Sequence, residues 1–369
     1  MKLVLLKDHF IGGLQAVQNV VGSRTTLPIL SNVLLQAGET GLGLTATDLD
    51  VTISASVEAK VEKAGATTLP VKRLSSIVRE LGAAEVQVEV DEKHSCVLCC
   101  GASYFRVSGL APEEFPPAPK LESRVQVVVS QAKLKGMLRR TVFAASLDET
   151  RYVLNGLFFW LREHKLTLVA TDGRRLALTD EEVEIDANLQ QDFIVPTKAI
   201  NELSHLLQET GEVEISVGEN QAAFRLGSEQ GPGPLLVTKL VDGTYPNYQQ
   251  VIPRESKERV PLMREEFIQA LRRAEIMTSD KSNSVKLAFG RNNLAITANT
   301  PEVGEARESL AINYKGQELA IAFNPGFLLE ALKALDEDEV FFELSDELSP
   351  AVLKINGPFL YVIMPMRTN

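Results

Sequence analysis

The stretch LVATDGRRLAL, Leu168 to Leu178, sets Thr171, Asp172, Gly173 and two arginines, Arg174 and Arg175, between apolar residues. A carboxylate next to two guanidiniums is the equipment of a general base or metal ligand beside a phosphate clamp. A phosphate loop needs more than this. Gly173 has neither further glycines around it nor a Lys-Ser or Lys-Thr pair after it. A second concentration of reactive types is HSCVLCC, with His94, Cys96, Cys99 and Cys100, whose donors suit zinc. No second ligand pair lies elsewhere at zinc-finger spacing, and VQVEVDEKHSCVLCCGASYFRV reads as two strands with a turn at Asp91 to Lys93. The expectation is buried, reduced strand cysteines. The other histidines, His9, His164 and His205, fall in unrelated contexts, and there is no nucleophile elbow. No catalytic residue, metal or cofactor is expected.

The elements that must position these residues come in three copies, at a period of about 125 residues, the size of a domain. Each copy opens with a strand and a helix: KLVLLKDHFIGGLQAVQNVVG, VQVVVSQAKLKGMLRRTVFAAS and ERVPLMREEFIQALRRAEIMTS. A hairpin follows, ending in a small polar cluster: LGLTATDLD, LTLVATDGR and LAITANTPE. Next come a strand running into a second helix and a closing strand pair. The first two copies end alike, LAPEEFPP and LVDGTYPN, as extended Pro-containing connectors. These place domain boundaries near 120 and 253, giving domains 1–120, 121–253 and 254–369. Alternation in VEISV and KLTLVA against helical spacing in LKGMLRRTVF and LLEALKAL gives α+β domains with helices on one side of a sheet. Because Asp48 recurs where Asp172 stands, and Asp and Asn make local turn hydrogen bonds, the expected role of Asp172 is structural. Gly173-Arg174-Arg175-Leu176 is peculiar to the second copy.

The chain has 369 residues, 44% hydrophobic and 24% charged, which fits a globular protein of two or three domains rather than disorder. No apolar run approaches the ~20 residues of a membrane span, and Asp8 and His9 interrupt any signal-like start, so the cytoplasm is the expected compartment. A net charge of −11 argues against coating nucleic acid with the whole surface. The predicted helices tell a different story. Residues 71–81 and 131–143 carry +2 and +4, while 7–20, 197–208, 264–276 and 325–335 are neutral, leaving −17 on everything else. Positive charge on the helices of an acidic chain has two readings: charged residues that simply solvate the helix faces, which the count alone favours, or a shared surface that meets a polyanion through phosphate, without base readout.

Taken in order, RTTLPILSNVLLQ, TATDLD, GATTLPVKRL, RYVLNGLFF, VATDGRRLAL, TKLVDGTYPNYQQVIP, LAITANTPE and YVIMPMR resemble the bacterial sliding clamps, the beta subunits of DNA polymerase III, over essentially the whole chain. The resemblance implies three α+β clamp domains, closed head to tail by two chains into a ring. Helices would line the central channel and sheets would form the outside. It implies a non-enzymatic processivity factor that encircles duplex DNA. Its partners would be a second copy, the clamp loader, the catalytic subunit of DNA polymerase III, and other DNA polymerases and repair proteins with clamp-binding motifs, with no membrane role.

By resemblance, DNA contacts fall on Arg24, Arg73, Arg151, Tyr152 and Lys198; charge and helix placement add Lys135, Arg139 and Arg140. The dimer interface would join Phe105 and Val107 to Ile276 and Met277 of the other chain, with Glu302, Glu305 and Glu308 facing Lys72 and Arg106. The peptide cleft comprises Leu154, Thr171, Gly173, Arg174, Arg175, Leu176, Pro246, Val251, Phe327, Leu348, Val362, Met364, Pro365, Met366 and Arg367. Its methionines and aliphatics give an adaptable apolar groove. Thr197 stands where the family often has Arg, Arg174 where it often has His, and Gln250 where it often has Arg; the last two bear on peptide preference. Two rival readings are an enzyme using Asp172 with Arg174 and Arg175 on a phosphorylated substrate, and a three-domain scaffold with no DNA role.

Overall fold

A computed structural model of the chain describes residues 1–22, 27–82, 84–186, 189–228, 231–279 and 283–367. Three times the chain runs strand, helix, four strands, helix, three strands, with one extra short strand, Lys60–Lys63, in the first copy. The helices are α1 (Lys7–Gln18), α2 (Val71–Glu80), α3 (Gln131–Thr141), α4 (Thr197–Leu206), α5 (Arg264–Glu275) and α6 (Pro325–Lys333). Each begins at the residue the periodicity predicts and ends one or two residues earlier. Helix α1 buries Phe10, Gly13, Leu14 and Val17, the i, i+3, i+4, i+7 stripe of an amphipathic helix. A Cβ on Gly13 would stand 2.7 Å from Val57 Cγ1 and 2.9 Å from Leu44 Cδ1, so glycine lets α1 lie this close to its strands. Helix α6 starts on Asn324, whose Oδ1 accepts the amides of Gly326 (2.9 Å) and Phe327 (3.4 Å), followed by Pro325.

The chain forms two compact units that do not coincide with the repeats: residues 1–135 with 198–240, and 136–197 with 241–369. The reason lies in the sheets. In the first unit, strand Val51–Val57 of copy one pairs antiparallel with Gly231–Lys239 of copy two, Val51 opposite Thr238, making an eight-stranded sheet. In the second, Arg175–Glu182 of copy two pairs with Phe359–Ile363 of copy three, Arg175 opposite Ile363, making another. In both junctions the strand that follows the polar turn meets the last strand of the next copy. The remaining sheets have five and four strands, and they leave edges at Ser103–Ser108, the last strand of copy one, and Gly304–Ala311, the strand after the polar turn of copy three. Phe267, Phe289 and Phe323 pack their rings on Phe342 in the core of the third copy.

Strand Ser95–Cys100 turns Cys96 and Cys100 into the core and leaves Cys99 half-buried. Asp91 Oδ1 accepts the amides of Lys93 (2.8 Å) and Ser95 (2.9 Å), closing the turn expected there. Among the described residues no group of three His, Cys, Asp or Glu side chains could hold a metal, and no helix is long and apolar enough to cross a membrane. Burial pushes the Cys96 thiol up to about 12. Since the thiolate is the reactive form, a thiol reagent at neutral pH should label Cys99 in the folded protein and Cys96 only after denaturant is added, as read by peptide mass. Labelling of Cys96 in the native protein would contradict this packing.

Candidate peptide-binding groove

The polar cluster of LVATDGRRLAL is a tight turn between strands Lys165–Thr171 and Arg175–Glu182. Asp172 Oδ1 accepts the amides of Arg174 (2.8 Å) and Arg175 (3.1 Å). Thr171 Oγ1 donates to the Arg175 carbonyl (2.6 Å) and accepts the Gly173 amide (3.1 Å). The turn needs a positive φ at its third residue, and Gly173 supplies it at 86°. The first copy repeats the turn bond for bond. Asp48 Oδ1 accepts from Asp50 and Val51, Thr47 Oγ1 donates to the Val51 carbonyl, and Leu49 sits at φ 80°. Copy three lacks the Asp and turns differently, with Thr300 Oγ1 donating to the Met277 carbonyl. Asp172 is therefore structural, as the repeat predicts.

Arg175, expected by resemblance in the cleft, has its side chain engaged within its own chain. Its side chain is only 8% exposed. Nε donates to Asp172 Oδ2 (3.0 Å), Nη1 to Glu330 of α6, and Nη2 to the Phe143 carbonyl (2.6 Å). The guanidinium also lies 4.2 Å from the Phe327 ring centre and 5.7 Å from that of Phe143. Burial disfavours its charge, but Glu330 and Asp172 outweigh that and hold its pKa above the ordinary arginine value. Tyr361, whose hydroxyl donates to the Phe327 carbonyl (3.0 Å), has its ionisation pushed up by burial. The hub ties copy two to copy three beneath the surface.

Above the hub, the expected cleft residues divide into floor and rim. Leu176 and Val362 are buried in one apolar cluster with Phe158, Val169, Ile194, Tyr245 and Tyr248, against which Leu154 packs. Thr171 is buried and Phe327 half-buried, whereas Gly173, Arg174, Pro246, Val251 and Leu348 are exposed. Leu348, Met364, Pro365, Met366 and Arg367 line one cavity of about 480 Å³. Ala320, Ile321, Ala322 and Glu347 complete it; sequence reasoning missed these four. Their signal is tertiary: the Met366 amide donates to the Ala322 carbonyl (2.7 Å), adding the C-terminal segment to strand Leu319–Phe323. The Met364 amide donates to the Arg174 carbonyl (3.0 Å), so the same segment continues the pairing of Phe359–Ile363 with Arg175–Glu182. The cavity mixes aliphatic and thioether side chains with the charged Glu347 and Arg367, which suits a ligand that carries apolar side chains on a polar backbone.

The other expected sites are placed as follows. Arg24 lies outside the described residues. Arg73 and Lys72 are exposed on α2 with no ion pair among the described residues. Lys135 pairs with Glu209 (2.6 Å), Arg140 with Glu337 (2.8 Å), Arg139 with Asp336 and Lys198 with Asp48. The positive charge counted on α3 is thus largely matched by acids from other segments, which a count along helices could not register. Arg151 Nη1 donates to the Asp172 carbonyl (3.1 Å) and stands beside Gly173, at the groove's end; Tyr152 is exposed. Of the expected interface residues, Phe105, Arg106, Ile276, Glu302 and Glu305 are exposed and Met277 is half-buried. Val107 is buried in its own chain, and Glu308 is held by Arg273 (2.7 Å).

Comparison with known proteins agrees with this architecture. Three family models match in succession: the N-terminal domain of the DNA polymerase III beta subunit at residues 1–119, its central domain at 128–247 and its C-terminal domain at 249–367. The beta sliding clamp of Chlamydia trachomatis is 36% identical, covering 100% of this chain and 87% of that protein. That of Bacillus subtilis is 31% identical over the full length of both. A crystal structure of the sliding clamp from Bartonella birtlesii bound to griselimycin covers 100% of both chains with 37% identity and a TM-score of 0.94. With the fold repeated three times, a structural rather than catalytic Asp172, and similarity over its whole length, the chain belongs to the bacterial DNA polymerase III beta subunit family, the non-catalytic DNA sliding clamps.

Proposed function

We propose that two copies of the chain close head to tail around duplex DNA, and that the groove of the second unit receives short apolar segments of the proteins tethered there. Those partners are the catalytic subunit of the replicative polymerase, the clamp loader, and other DNA polymerases and repair proteins, acting in the cytoplasm. Domain divisions at 120 and 253 fit this reading.

The observation that carries ring closure is the repeated sheet junction. Twice the strand after a polar turn is completed by the last strand of the next copy. A third junction has both halves present, Gly304–Ala311 and Ser103–Ser108, each at a sheet edge. Such a pair on one chain is complementary to its counterparts on a second, and a head-to-tail contact of this kind closes a ring when the rotation permits. The edges differ in charge. On copy one Arg106 and Lys72 of α2 are basic, while on copy three Glu302, Glu305 and Glu308 are acidic. Phe105 and Ile276 add exposed apolar contact, with Met277 beside it and Val107 beneath. By the register of the internal junctions, the start of Gly304–Ala311 should meet the end of Ser103–Ser108 on the partner.

DNA contacts at Arg24, Arg73, Lys135, Arg139, Arg140, Arg151, Tyr152 and Lys198 would be to phosphate. Several of these cations already have carboxylate partners, so DNA shares them rather than finding them free, and a weak grip suits sliding. The groove would be walled by Gly173, Arg174, Pro246, Val251, Leu348, Met364, Pro365, Met366 and Arg367 over Leu154, Thr171, Leu176, Phe327 and Val362, with Arg175 as the strut below. The competing enzyme reading asks for a free carboxylate at Asp172, yet Oδ1 accepts two amides and Oδ2 accepts from Arg175.

Three experiments test these points. Loaded on nicked circular DNA by a clamp loader with ATP, the protein should stay bound and then run off when the circle is linearised; equal retention on both DNA forms would defeat the ring. Cysteines placed at Ser108 and Gly304 should cross-link two chains under mild oxidation, whereas a cross-link confined to one chain would refute the register. Arg175→Met removes the cation shared by Asp172 and Glu330, so it should lower stability by about 1–3 kcal/mol in denaturant titration and weaken griselimycin binding by calorimetry. Unchanged stability and binding would show that the hub does not support the groove.

A further inference from the structure

We infer that Met364 and Met366 form a reversible oxidation site that turns the groove off, an inference that rests on the groove reading above. Met364 is 44% exposed and Met366 39% exposed, and both line the cavity. Met1 and Met137 are buried, so peroxide in solution reaches the groove sulfurs ahead of them. Their main chains are pinned, Met364 to the Arg174 carbonyl and Met366 to the Ala322 carbonyl, so oxidation changes the chemistry of the wall while the wall stays in place.

The oxidant is hydrogen peroxide. A sulfur lone pair attacks one peroxide oxygen, the O–O bond breaks, and a sulfoxide forms as the sulfur loses two electrons; the second oxygen leaves as water with both protons. The product replaces a soft apolar thioether with a strong hydrogen-bond acceptor. An apolar ligand side chain offers that acceptor no donor, so seating it strips water from the sulfoxide without recompense. Arg174 favours the oxidised form at Met364. Its carbonyl accepts the Met364 amide, extending the register in which Arg175 and Ile363 face each other, and opposed residues share a side of the sheet. Exposure at the two pairs agrees, with Arg175 and Ile363 buried and Arg174 and Met364 exposed. The Arg174 guanidinium has no ion-pair or hydrogen-bond partner among the described residues and is free to donate to the sulfoxide oxygen. Two reductases, one for each sulfoxide epimer, reverse the change.

The test uses full-length protein and griselimycin as the probe. After hydrogen peroxide, peptide mass mapping should find sulfoxide at Met364 and Met366 before Met137. Griselimycin affinity should fall by about tenfold or more, and methionine sulfoxide reductases A and B together should restore it. An M364L/M366L protein, compared with itself before and after peroxide, should show no fall. An M263L protein, altered at an exposed methionine outside the cavity, should fall as the unaltered chain does. Unchanged affinity with both sulfoxides verified, or an equal fall in M364L/M366L, overturns the inference. Absence of griselimycin binding before any peroxide would instead overturn the groove reading, and this inference with it.

Discussion

An unpaired strand edge exposes a row of amides and carbonyls that must find partners, and this constraint organises the chain. Copies one and two each resolve it by lending an edge to the next copy, so the compact units straddle the repeats: Val51–Val57 finds Gly231–Lys239, and Arg175–Glu182 finds Phe359–Ile363. Ser103–Ser108 and Gly304–Ala311, the counterparts of those paired strands, stay at sheet edges within the single chain. The proposed closure with a second copy would continue a rule already applied twice, with no new kind of contact.

Charge follows the same economy. The chain is acidic overall, yet several of its helix cations are engaged by carboxylates brought from elsewhere, as Arg139 is by Asp336 and Lys198 by Asp48. These exposed pairs contribute little stability. Arg175 is different because it is buried: removed from water, its charge is tolerable only with Asp172, Glu330, the Phe143 carbonyl and two aromatic faces around it. The adaptable part of the groove falls instead to the methionines, Leu348 and Arg174, whose side chains reach solvent.

Much was legible along the chain. Helix starts, the turn at Asp91, the core cysteines and the turn role of Asp172 all rest on neighbours within a few residues, and periodicity and side-chain chemistry report such relations directly. The comparison of TATDLD with VATDGRR was enough to remove Asp172 from the list of bases, because one turn recurring in two copies answers to backbone geometry. The floor and rim of the groove were gathered through family resemblance, and Ala320, Ile321, Ala322 and Glu347 escaped it. Only the pairing of Met366 with Ala322 brings them to the cavity.

What the sequence by itself determined is the repeated α+β unit, its turns and its buried stripes, since these depend on interactions between residues close in the chain. What the tertiary structure decided is which charges are free and which strands lack a partner. Arg174 and Arg175 are adjacent and chemically identical, yet one reaches solvent and the other is locked to Glu330, 155 positions away in sequence. Alternation on a strand predicts that neighbours face opposite ways; only the packing of copy three against copy two says which way is in.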